Sequence, residues 1–207
     1  MRTGCTVFVV DDEEPICDSI ALLLRSVGLS SRTFTDPRRF LEALGPGQAG
    51  CVVLDVRMPG MNGLDVQRAL NERRCSMPLI FITGHGDVPM AVEAMRNGAF
   101  DFLQKPFNDD DLIRRVQKAL EQDARDRTRL AQIDETRRRW EALTAREREI
   151  AERLVDGAAN KVIALDLDIS ERTVELHRAR VMQKMEARSF AQLVQMVLSL
   201  RQGPAAP

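Results

Sequence analysis

The 207-residue chain has little of what marks a secreted, membrane-bound or nucleic-acid-coating protein. No stretch approaches the roughly 18 uninterrupted apolar residues of a spanning helix, and no long apolar run precedes Asp11, so neither a membrane span nor a secretory leader is expected. Cys5, Cys17, Cys51 and Cys75 fall with no CxxC spacing, and two of them sit in apolar runs where a thiol behaves as a small hydrophobe. A reducing, cytoplasmic compartment is the reading. The formal net charge of -1 excludes a strongly basic coat or an acidic solvating chain, while leaving room for a local basic face. There is no tyrosine.

What is present is ordinary for a folded protein: 44% apolar and 29% charged residues, in a length that suits two domains. The N-terminal part is organised around Cys51-Val52-Val53-Leu54-Asp55, a β-branched run that ends on one carboxylate and then the turn Val56-Arg57-Met58-Pro59-Gly60. Such a run fits a strand buried on both faces, with the acid at its carboxyl end. Similar runs stand at Thr6–Val10, Ser31–Phe34, Leu79–Thr83 and Phe100–Leu103. Helical patterns alternate with them: Pro15 to Val27, a short helix capped by Asp36, Gly63 to Arg73, Val88 to Asn97 capped by Asp87, and one starting after Asn108. Five strand and helix pairs predict a flavodoxin-like α/β fold, a doubly wound parallel sheet of order 2-1-3-4-5. Gly45-Pro46-Gly47-Gln48-Ala49-Gly50 matches GxGxxG in letters, but it follows a helix and opens a strand, so it reads as turn chemistry.

In that order the switch point lies between strands one and three, which brings Asp11 and Asp12 toward Asp55, with Thr83 and Lys105 at the ends of strands four and five. Three clustered carboxylates repel one another unless a hard cation joins them, and an oxygen-only site that keeps waters suits Mg²⁺. Lys105 and Thr83 then complete a pocket for phosphoryl oxygens. His85 reads as a solvated loop residue, and Met58, Met61, Met77, Met90 and Met95 as packing.

Val-Val-Asp-Asp, Leu-Asp-Val-Arg-Met-Pro-Gly-Met-Asn-Gly, Phe-Ile-Thr-Gly-His-Gly-Asp and Phe-Leu-Gln-Lys-Pro-Phe together resemble the receiver domain of two-component response regulators. The resemblance implies that Asp55 accepts a phosphoryl group from a sensor histidine kinase. It further implies that Asp11, Asp12, Asp55 and the Arg57 carbonyl hold Mg²⁺, that Thr83 and Lys105 read the phosphate, and that Lys105-Pro106 is a cis peptide. Phe102 stands where many receivers carry a switch tyrosine, so a switch through Thr83 and Phe102 lacks that hydroxyl. The only chemistry implied is the receiver's own phosphorylation and dephosphorylation. Two other readings compete: a phosphatase passing through an aspartyl phosphate, and a phosphate-independent adaptor. Against the first, Arg57 lies two past Asp55, where a proton-donating acid is needed. The complete acidic pocket speaks against the second.

Residues 1–120 are thus read as the receiver, 121–141 as a helical linker without Gly or Pro, and 142–207 as an all-α unit with a short disordered tail. In the last part Thr144 and Glu147 form a capping box, a helix spans Lys161 to Leu167, and Ser170 caps a longer helix to Met185, which makes a helix-turn-helix in a four-helix domain. Turning Val174, Val181 and Met185 inward exposes Arg172, Leu176, Ala179 and Gln183, flanked by Glu175 and Arg180, with Lys161 at the start of the preceding helix. That face suits base edges and phosphates of double-stranded DNA, although a solvated packing module remains the bland alternative. Leu-Thr-Ala-Arg-Glu-Arg-Glu-Ile, Asn-Lys-Val-Ile-Ala and Ile-Ser-Glu-Arg-Thr-Val-Glu-Leu-His-Arg resemble the LuxR-type DNA-binding domain. Receiver plus this module resembles the FixJ/NarL family, and Thr-Gly-His-Gly-Asp-Val-Pro-Met-Ala-Val-Glu-Ala-Met is similar to its FixJ-like members. The arrangement implies a transcription regulator that forms a homodimer when phosphorylated, with RNA polymerase as a further candidate partner.

Overall fold

The structure, a computed structural model, describes residues 4–45, 47–84 and 88–201. Along the chain run β1 (Thr6–Val10), α1 (Glu14–Ser26), β2 (Ser30–Phe34), α2 (Pro37–Ala43), β3 (Gly50–Asp55), α3 (Gly63–Glu72), β4 (Leu79–Thr83), α4 (Val88–Arg96), β5 (Asp101–Gln104) and α5 (Asp109–Glu141). After them come α6 (Ala145–Val155), α7 (Asn160–Asp166), α8 (Glu171–Lys184) and α9 (Phe190–Arg201). The chain divides into two compact units inside α5, between Arg127 and Thr128. No helix among the described residues is long and apolar enough to cross a membrane.

The first unit is built on a five-stranded parallel sheet in the order β2-β1-β3-β4-β5. Side chains alternate across a strand, so β1 and β3 feed two cores at once. Phe8, Val10, Val52 and Leu54 pack with Phe40, Val66 and Leu70 of α2 and α3. Val7, Val9, Cys51 and Val53 pack on the other face with Ile20, Leu24, Leu112 and Val116 of α1 and α5. Burial on both faces is why these strands read as unbroken apolar runs.

The helix starts follow the expected chemistry. Asp36 accepts from the Arg38 N–H at 2.9 Å, and Asn62 and Asp65 form a capping box at the start of α3. Strand five begins one residue later than its sequence pattern indicated, and the Phe100 N–H is bound to the Leu79 carbonyl at 2.8 Å just ahead of the paired stretch. The expected cap Asp87 and the loop residue His85 lie outside the described residues, as do Pro46 and the tail 202–207.

The helix α5 runs 33 residues through the whole expected linker. Its composition suggested a ragged seam of Ala124, Ala131 and Ile133; Ile133 is buried, but Ala131 is exposed. Two polar side chains are buried along the same stretch, Asp123 in the first unit and Thr136 in the second. Asp123 accepts from the Gly50 N–H at 3.1 Å. Gly50 itself can be nothing larger, since a Cβ there would stand 1.9 Å from the Thr6 carbonyl oxygen.

In the second unit Leu143, Val181, Met185, Leu193 and Val197 form one core cluster, with Trp140 packed against it. Ile150, Leu154, Ile163 and Val174 form another. The turn between α7 and α8 passes through Asp168 at φ 51°, and Ser170 then caps α8 by accepting from the Thr173 N–H at 3.1 Å.

Candidate functional site

β3 delivers Asp55 to the carboxyl edge of the sheet as a residue only 6% exposed. α3 begins directly beneath it. A Cβ on Gly63 would lie 2.4 Å from the Asp55 carbonyl oxygen and 2.8 Å from the Phe81 ring, so only glycine lets the helix start so close. The Gly63 N–H donates to Val56 at 2.9 Å, closing the turn that carries Arg57 to Pro59.

Lys105 joins the acids. Its Nζ donates to Asp11 Oδ2 at 2.7 Å and to Asp55 Oδ1 at 2.8 Å. The second Asp55 oxygen accepts from the Arg57 N–H at 2.6 Å, and Asp11 Oδ1 accepts from the Glu13 N–H at 3.0 Å. Burial pushes the Asp55 carboxyl above its ordinary range; the hydrogen bond from Lys105 works against that, and the charge of Asp11 adds to it. For Lys105 burial acts to lower the pKa, but hydrogen bonds to Asp11 and Asp55 outweigh it and the ammonium is held above its usual value. Two buried carboxyl groups therefore share one cationic donor.

Asp12, the third expected acid, is exposed beside this pair. Among the described residues no three acids, histidines or cysteines are grouped closely enough to make a ready metal cage. The donor set is nevertheless oxygen-only and anionic, which fits a hard divalent cation. Thr83 ends β4 at 4% exposure, with its hydroxyl 3.4 Å from the Gly84 carbonyl. Its own carbonyl accepts from the Lys105 N–H at 2.7 Å, which ties the two phosphate-reading candidates together, and the Lys105-Pro106 peptide is cis.

Phe102 lies away from this pocket, 42% exposed on β5. With Ala91, Val92, Met95 and Arg96 of α4 it lines a shallow apolar hollow of about 370 Å³. One polar residue that sequence reasoning missed stands nearby: Gln67, 2% exposed, donates to the carbonyls of Ala94 at 2.9 Å and Asn97 at 3.2 Å, pinning α3 to the end of α4. Its signal was a lone amide on the apolar face of α3, between Leu64 and Leu70.

In the second unit the expected outward face is outward. Arg172, Glu175, Ala179, Arg180, Gln183 and Lys161 are exposed, and Leu176 is 51% exposed, while Val174, Val181 and Met185 are fully buried. The helix-turn-helix is braced from below: Arg146 donates to the Leu167 carbonyl at 2.7 Å, and the Arg178 guanidinium lies 5.2 Å from the Phe190 ring centroid. Lys184, near the end of α8, donates to Glu147 at 2.6 Å.

Comparison with known proteins agrees with both halves. Residues 7–117 match the response regulator receiver domain, and residues 141–197 match the family described as bacterial regulatory proteins, luxR family. The transcriptional regulatory protein FixJ of Azorhizobium caulinodans is 47% identical over 205 residues, which is 99% of this chain and 97% of that one. FixJ of Rhizobium meliloti is 43% identical over 98% of this chain and 100% of its own. Among solved structures, response regulator StyR matches with a TM-score of 0.83 at 41% identity, covering 95% of this chain and 100% of that one. Full-length FixJ from B. japonicum matches with a TM-score of 0.61 at 40% identity, covering 98% and 100%. With a parallel sheet that ends on Asp55 and a LuxR-type helical unit C-terminal to it, the chain belongs to the FixJ-like two-component response regulators and controls transcription.

Proposed function

We propose that Asp55 accepts a phosphoryl group from the phosphohistidine of a sensor kinase, and that this group governs dimerisation and binding to double-stranded DNA. The observation that carries the reading is the Lys105 ammonium shared between Asp11 and Asp55, at 2.7 and 2.8 Å, at the carboxyl edge of the sheet. A carboxylate oxygen of Asp55 forms the new P–O bond as the P–N bond breaks, and the leaving imidazole nitrogen keeps the electron pair. Lys105 and the Thr83 hydroxyl donate to the phosphoryl oxygens as charge spreads over them. Asp11, Asp12, Asp55 and the Arg57 carbonyl would hold Mg²⁺, which when bound neutralises charge on those oxygens. Hydrolysis of the acyl phosphate in the same pocket returns the protein to its resting form.

Thr83, drawn toward the phosphate, would reshape α4 and β5, and the hollow beside Phe102 is the surface offered to a second copy. In the second unit α8 is the recognition helix: Lys161 and Arg172 meet phosphates, and Glu175, Leu176 and Arg180 reach base edges, with Ala179 and Gln183 completing the face. RNA polymerase is the partner through which bound protein would act on transcription.

The test is labelling with acetyl phosphate in Mg²⁺. Asp55→Asn is expected to take no label, and a chelator is expected to abolish labelling of the unaltered protein. Undiminished labelling of the variant would place the acceptor elsewhere.

A further inference from the structure

The C-terminus of α8 breaks a local rule. Met185 closes the helix, and the next residue, Glu186, takes φ 52°, with its N–H bound to the Gln183 carbonyl at 3.1 Å and the Ala187 N–H bound to Met182 at 3.0 Å. That is the left-handed position after a helix end, where glycine is the ordinary occupant because it has no Cβ to strain. Arg74 at φ 53° and Asp168 at φ 51° stand in the same position after α3 and α7, so what sets Glu186 apart is what its side chain holds.

That partner is Arg139, on α5. Its side chain is 26% exposed and its guanidinium is bound on three sides: Nε to Glu135 Oε1 at 3.0 Å, Nη1 to the Met185 carbonyl at 3.3 Å, and Nη2 to Glu186 Oε2 at 2.8 Å. The Met185 carbonyl belongs to the negative end of α8, where a cation is favoured. The planar fork meets all three acceptors from three separate nitrogens in a fixed geometry, which the single nitrogen of an ammonium does not reproduce. Glu135 and Arg139 lie one turn apart on α5, so the helix presents a braced guanidinium rather than a floppy one. Glu186 is 68% exposed at its side chain, and an exposed ion pair stabilises the fold little.

We propose that Arg139 is a positioning residue for DNA binding: it fixes the C-terminal end of α8 against α5, with Glu186 as its dedicated anchor. Since α5 is the same helix that begins at Asp109, the residue that steadies the recognition helix is carried by the helix that leaves the sheet unit. The inference rests on the reading of α8 as the recognition helix.

The experiment is a binding titration of the full-length phosphorylated protein on cognate and random duplexes at several salt concentrations, with thermal melting of each variant alongside. Arg139→Gln and Glu186→Gly are each expected to weaken cognate binding about three- to tenfold, with a salt slope unchanged because neither side chain meets a phosphate. Glu186→Gly should do so with an equal or higher melting temperature, since glycine relieves the left-handed strain; that combination is one a merely stabilising role would not produce. The double variant should lose no more than Arg139→Gln alone, as expected if Glu186 acts through that guanidinium. Arg139→Lys should recover only part of the affinity. Cognate binding within twofold of the unaltered protein for both variants, while Arg172→Ala and Arg180→Ala weaken it, would overturn the inference and leave the recognition helix in place. If those two arginine variants also bound normally, the assignment of α8 itself would fall.

Discussion

At the scale of single residues the pocket is a problem of shared charge. Lys105 is the only counter-ion the described geometry gives to Asp11 and Asp55, and its removal leaves two carboxylates buried without a cation. Breaking a buried pair in this way costs about 3–5 kcal/mol; with Lys105 22% exposed at its side chain, Lys105→Met is expected to cost about 2–3 kcal/mol in urea unfolding without divalent ions. Glu147 shows the opposite sign. Hydrogen bonds from Lys184 and from the Thr144 N–H hold its carboxyl down at about 2, from an ordinary 4.5. Its contribution is therefore complete above pH 4.5 and is lost as pH falls from there toward 2. Because Lys184 is 39% exposed at its side chain, the contribution is discounted to about 1–2 kcal/mol. In urea unfolding followed through Trp140, Glu147→Gln should cost that much at neutral pH and almost nothing near pH 2.

At the scale of elements, α5 carries more than a linker's duty. Asp123, 1% exposed, is the acceptor for the Gly50 N–H, and burial pushes its carboxyl above the usual range. Asp123→Ala is expected to leave that N–H buried and unpaired at a cost of about 1–3 kcal/mol, with Asp123→Asn losing less because its amide oxygen still accepts. Faster hydrogen exchange at Gly50 in the alanine variant would report the loss locally; unchanged exchange would show that the bond contributes nothing. The elements themselves were largely legible in the chain. β1, β3 and β4 announce themselves because burial on both faces demands unbroken apolar runs, and α2, α6 and α8 because Asp36, Thr144 and Ser170 are good caps. The outward face of α8 was legible for the same reason, since Val174, Val181 and Met185 fix its phase. Asp123, Gln67 and Arg139 were not legible. An acid or arginine in a charged stretch reads as solvated, and only the approach of a strand end 73 positions away, or of a helix end 46 away, gives it a backbone partner. The lysine bridge between Asp11 and Asp55 was hidden too, because strand order brings the three residues to one edge but does not say which donor faces which oxygen.

At the scale of the whole molecule, one phosphoryl group on Asp55 is expected to change how strongly the LuxR-type unit holds its operator. Moving a population from mostly inactive to mostly active needs a differential of about 5.5 kcal/mol, which contacts of the phosphate to Lys105 and Thr83, at about 1.5–3 kcal/mol each, are expected to share with a second copy docked at the surface around Phe102. Two recognition helices held together in that way should read half-sites centred about 34 Å apart, or one turn of duplex. The measurement that tests this most directly is cognate-DNA affinity with and without acetyl phosphate in Mg²⁺, for the unaltered protein and for Asp55→Asn. The expected result is a gain on the order of a hundredfold or more for the unaltered protein and none for the variant, within the differential set above. An equal gain in both would contradict the account, because DNA binding would then be controlled by something other than phosphate on Asp55.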